Sequence, residues 1–100
     1  MKALQKILEE AVDFDAESVT LEYASEGLEI YFMRGHMGAG HVISDKKRVR
    51  EIIRDVVDEA NLERKAGGTI HLKISNKPYT VRVEEYDNFG DSAFRLSLKA

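Results

Sequence analysis

The stretch from Ser44 to Leu62 constrains the fold more than any other part of this sequence. Its apolar residues Val49, Ile52, Ile53, Val56, Val57 and Ala60 recur at spacings of three and four, which lines them on one face of a helix. Most of the sequence on either side alternates apolar and polar residues with period two, as strands with a single buried face do. A striped helix among such strands satisfies both by packing on their sheet, so the fold class is α+β. At 100 residues the chain supports one modest core, and residues 1–100 form one domain.

The order of elements follows from the same periodicities. Residues 2–13 carry Leu4, Ile7, Leu8, Ala11 and Val12 on one helical face. Ser18–Tyr23 and Leu28–Met33 then alternate around Ser25-Glu26-Gly27, which reads as a hairpin with Val19, Leu21 and Tyr23 sharing the buried face with Leu28, Ile30 and Phe32. Residues 34–41, with Gly35, Gly38 and Gly40, read as a glycine-rich loop, and His41-Val42-Ile43 as a short third strand. Ser44 or Asp45 caps the central helix, and Lys65-Ala66-Gly67-Gly68 closes it. Thr69–Ile74 and Tyr79–Glu84 form a second hairpin around Ser75-Asn76-Lys77-Pro78. A loop over Asp87–Asp91 leads to a last strand, Ala93–Leu98. The expected order is α-β-β-(β)-α-β-β-β, without an internal repeat.

Composition narrows the function classes. There are no cysteines, which excludes disulfides and thiolate metal sites and suits a cytoplasmic protein. A net charge of −3 gives no overall attraction to nucleic acid or anionic lipid. The first ten residues lack the apolar run of a signal peptide, and no segment has the unbroken apolar length of a membrane span. His36, His41 and His71 read as surface histidines, since no carboxylate stands at a ligand spacing from them. With no nucleophile–base arrangement or carboxylate pair, the expectation is a protein that is not an enzyme and carries no cofactor or metal.

Ile7–Val12 running into Ser18–Glu22, then Gly27–Phe32, and later Gly68–Ile74, Val81-Arg82-Val83 and Gly90-Asp91 resemble the amino-terminal, PAS-like domain of type II secretion and type IV pilus assembly ATPases. The likeness extends over nearly the whole chain in order and spacing. It implies an α+β scaffold and a link to a secretion or pilus system. Where that family has an arginine-bearing strand ending in Asp-Gly, this sequence has Glu29-Ile30-Tyr31-Phe32-Met33-Arg34-Gly35-His36. Only Arg82 falls on a family arginine, and no phosphate loop is present. The resemblance therefore implies a free-standing copy that keeps the scaffold without the nucleotide contacts or the ATPase domain.

Two sets of residues stand out as candidate sites. Tyr31 and Met33 alternate with the core residues Ile30 and Phe32, so they face away from the core; with Arg34 and Phe89 they suggest a partner contact surface, or else a face that the first helix covers with Leu4, Ile7 and Leu8. Lys46, Lys47, Arg48 and Arg50 crowd the amino end of the central helix against its dipole, a patch suited to an acidic partner. The leading expectation is a protein-interaction module with a protein partner, a second copy being one form of it. The alternative is anion binding by Gly35, Gly38 and Gly40 with Arg82, although His41 and Val42 stand where a phosphate loop needs lysine and Ser/Thr.

Overall fold

The computed structural model describes residues 1–63 and 65–100. In chain order the elements are α1 (Lys2–Asp13), β1 (Ser18–Ala24), β2 (Gly27–Arg34), β3 (Met37–Ile43), α2 (Lys46–Glu59), β4 (Gly67–Ile74), β5 (Lys77–Asn88) and β6 (Asp91–Lys99). The strands form one antiparallel sheet in the order β3-β2-β1-β6-β5-β4. Each half of the chain folds as a helix followed by a three-strand meander, and β1 and β6 join the two meanders at the centre. The α+β class and the two-helix order read from the sequence hold.

Both helices lie on one face of the sheet, packed against each other, with α1 reaching β4 and α2 reaching β2. The period-two residues of the strands meet them: Val19 and Leu21, Leu28 and Ile30, Val81 and Val83, and Leu96 are fully buried. Leu4, Ile7, Leu8 and Ala11 of α1 and Ile52 and Val56 of α2 close the core from above. The opposite face of the sheet carries no covering element among the described residues: α1 does not cover Tyr31 and Met33, because its Leu4, Ile7 and Leu8 are buried beside α2 on the core face.

Several local readings change. Residues 34–41 are not a loop: β2 runs on through Arg34, Gly35 and His36 make a tight turn, and β3 pairs with β2 from Met37↔Arg34 to Ile43↔Leu28. Gly38 and Gly40 are strand residues. A Cβ at Gly38 would lie 2.7 Å from the Met33 sulfur, and one at Gly40 would lie 2.6 Å from the Tyr31 ring. The Met33 and Tyr31 side chains occupy the space that side chains at the two glycines would fill, and the Tyr31 ring shields Gly40 as aromatic groups do at a sheet edge. The helix also ends earlier than its glycines suggest. Asn61, at φ 56°, takes the left-handed position after the last turn, a role asparagine fills without glycine. Gly67 and Gly68 are instead the first residues of β4. At the other end the cap is Asp45, whose side chain accepts the Lys47 amide at 3.0 Å.

The acidic half of α2 has a partner as well. Asp55 accepts the Leu4 amide at 3.1 Å and lies 3.1 Å from the Met1 amine, so a carboxylate of α2 meets the positive end of α1. Its position against the dipole of its own helix is offset by its service to the other.

Candidate functional site

Two surfaces carry groups not absorbed by the fold: the open face of the sheet, and a groove along the outer side of α2.

On the open face, the register puts Glu22, Ala93 and Tyr86 in one row across β1, β6 and β5. The Tyr86 hydroxyl donates to Glu22 Oε2 at 2.8 Å, passing over Ala93, whose methyl is thereby fully buried on an otherwise uncovered face. The Arg95 guanidinium lies 5.4 Å from the centre of the Tyr86 ring, within cation–π range. Every group in this row has a partner on the sheet, so it reads as a staple holding β1, β6 and β5 together. The Tyr86 phenol is pushed up to about 12, first by desolvation, then by the Glu22 hydrogen bond, with Arg95 pulling the other way.

That shift has a sign that can be measured. A tyrosine in the unfolded chain ionises near pH 10, where the folded protein still holds the Tyr86 proton. The stabilisation is complete below pH 10 and is lost as pH rises toward about 12. Tyr86→Phe should cost about 1 kcal/mol at neutral pH, and its deficit against wild type should shrink steadily through that alkaline window. Denaturant midpoints of both proteins across the window check this, and a constant deficit contradicts the role given to Glu22.

The groove lies between α2 and the turn joining β1 to β2. It encloses about 680 Å³ and is lined by Tyr23, Ala24, Ser25, Glu26, Gly27 and Ser44 on one side and by Lys46, Val49, Arg50, Ile53, Arg54, Val57 and Asp58 of α2 on the other. Its construction follows from helical spacing. Ile52 and Val56 point into the core, while Val49, Ile53 and Val57, one position round the helix, are half-buried and form the groove floor. Lys46, Arg50 and Arg54 step by four beside them, all exposed, and make a basic rim. Among the described residues the salt bridges are Met1–Asp55 and Arg34–Asp15, so the rim cations are in none. Tyr23 does not join the core with Val19 and Leu21; it is 40% exposed and forms the groove wall.

The residues singled out from the sequence distribute unevenly. Lys46 and Arg50 lie on the groove, Lys47 and Arg48 do not, and Arg54 is an addition. The signal that finds Arg54 is its four-residue step from Arg50, matching the step of the floor residues. Tyr31 and Met33 face the open side and shield the glycines of β3. Arg34 sits at the end of β2, 3.3 Å from Asp15, an exposed pair of small energetic value. Phe89 is remote from them, at the tip of the β5–β6 hairpin, and fully exposed. Nor does the anion-binding set converge. Gly35, Gly38 and Gly40 belong to the β2–β3 edge, whereas Arg82 is on β5, with β2, β1 and β6 between β3 and β5. His36 and His41 are near that same edge and His71 is on β4 at the opposite edge.

The fold and groove define the protein as an open-faced α+β domain with an apolar, basic-rimmed cleft along one helix. No protein-family model matches the chain, and no curated protein matches it in sequence. No described helix is long and apolar enough to cross a membrane.

Proposed function

We propose that the protein is a non-enzymatic protein-interaction module that holds its partner in the groove along α2. The observation that carries this reading is the pairing of an apolar floor, Val49, Ile53 and Val57, with a basic rim, Lys46, Arg50 and Arg54, that has no salt-bridge partner among the described residues. Exposed apolar surface rimmed by charge favours a segment that brings apolar side chains flanked by carboxylates. The reading includes a cytoplasmic setting and a link to a secretion or type IV pilus system, supported by the resemblance to the amino-terminal domain of those ATPases.

A photoreactive side chain at Ser25, on the groove wall opposite α2, tests it in cells. The expected result is a protein adduct that disappears when Ile53→Asp or Arg50→Glu with Arg54→Glu is added, while the fold remains intact. The reading is overturned by a protein with no adduct at Ser25, or with adducts indifferent to both changes.

A further inference from the structure

The tip of the β5–β6 hairpin complements the groove in both polarity and charge. Asn88 and Asp91 close a two-residue turn, Phe89-Gly90, with φ 54° at Phe89 and 95° at Gly90. Such turns are made best by Asn-Gly, because a side chain in the left-handed region is strained. Phe89 holds that conformation with its ring wholly in solvent, so neither backbone preference nor burial accounts for it. Retained strain at an exposed aromatic residue points to a contact that the isolated chain does not make. Asp87 and Asp91 flank the tip, while further down the hairpin Glu84 stands across from Arg95 and Glu85 accepts the Ser92 hydroxyl; neither Asp87 nor Asp91 is in a salt bridge among the described residues.

We infer that the partner is a second copy of this chain, each protomer placing its Phe89 tip in the α2 groove of the other. This rests on the groove reading above and names its occupant. The groove offers an apolar floor of valine and isoleucine under three cations, which outnumber the two carboxylates on its lining, Glu26 and Asp58; the tip offers one phenyl ring flanked by carboxylates. Both features lie at one end of the sheet. β1 runs toward the turn that lines the groove, and Glu22↔Ala93 pairing brings the start of β6 to that same end. The Tyr23 phenol on the groove wall is pushed up first by burial and then by the Asp91 carboxylate at the hairpin tip. A two-fold axis can therefore close the contact twice in one dimer, with each tip–groove pair identical. A ring-filling aromatic at the centre and opposed charges at the rim are the division of labour seen in specific interfaces.

Sedimentation of the purified protein from micromolar to millimolar concentration tests the inference. Wild type should form dimers that weaken as salt is added. Phe89→Asn should weaken dimerisation by at least about tenfold. At dilutions where wild type too is monomeric, the same change should raise the thermal midpoint, because it relieves the turn, which loss through misfolding could not do. Arg50→Glu with Arg54→Glu should also give monomers. A mixture of these two monomeric variants should re-form dimers, since one retains an intact groove and the other an intact tip. A wild type that is monomeric throughout overturns the inference, and so does a dimer that Phe89→Asn leaves unchanged. Either outcome can be separated from failure of the groove itself by adding anilinonaphthalene sulfonate, an anionic aromatic probe, to the Phe89→Asn monomer. Binding there shows that the groove stands and only its assigned occupant falls.

Discussion

Ile52→Ala should destabilise the protein by about 2–5 kcal/mol, while Ile53→Ala next to it should cost about 1 kcal/mol or less. The two residues are identical in chemistry and adjacent in the helix. Ile52 is fully buried between α2 and the sheet, and truncation leaves a cavity that close-packed neighbours cannot fill. Ile53 is half-buried on the groove floor, where water already has access. Urea midpoints of the two variants check this directly. Equal losses would mean that α2 is rotated about its axis relative to the sheet, and the groove would have no floor.

Gly68→Ala should cost about 3 kcal/mol, whereas Gly67→Ala should cost under about 1 kcal/mol. A Cβ at Gly68 would stand 2.0 Å from the Ala60 carbonyl oxygen, at the end of α2. No side-chain rotation relieves a clash with backbone, so the end of the helix must lift from β4 and uncover Ala60 and Leu62. At Gly67 the nearest atom is 3.5 Å away, an ordinary contact. Thermal midpoints of the pair separate close approach from mere loss of chain flexibility. Similar losses at both positions would contradict the seating of α2 on β4.

The architecture was largely legible because period and polarity report burial directly. Both helices and the strands other than β3 show their apolar spacing in the sequence, and the observed elements follow it. What failed to show has particular causes. The α2 stripe of Val49, Ile52, Ile53, Val56, Val57 and Ala60 is wide, and spacing alone does not say which part of a wide stripe meets the sheet; only packing divided Ile52 from Ile53. Strand β3 was hidden because Gly38 and Gly40 have no side chains to alternate. Its pairing partner supplies the shielding groups, and Tyr31 and Met33 carry the signal on a different strand.

The site was legible only in part. Lys46 and Arg50 stood out as part of a charge cluster, but a cluster in sequence is not a rim in space. Lys47 and Arg48 turn away from the groove, and Arg54, a turn further along, completes it. Tyr23 alternates with Val19 and Leu21, which on spacing alone puts it in the core. At the end of β1 the helix layer passes to one side of it, so the same alternation delivers it to the groove wall. Phe89 attracted notice as an aromatic residue in a loop; its significance comes from a backbone angle that no composition reveals.

The groove as a recognition site for anionic, apolar chemistry is tested most directly by amide chemical shifts. Isotope-labelled Phe89→Asn protein, whose grooves are empty whatever the association state of wild type, is titrated with anilinonaphthalene sulfonate. Shifts should concentrate at Tyr23, Val49, Arg50, Ile53, Arg54 and Val57, weaken with salt and vanish with Ile53→Asp in a folded protein. Shifts scattered over the surface, or gathered on the open sheet face around Tyr31 and Tyr86 while α2 stays unmoved, would contradict it.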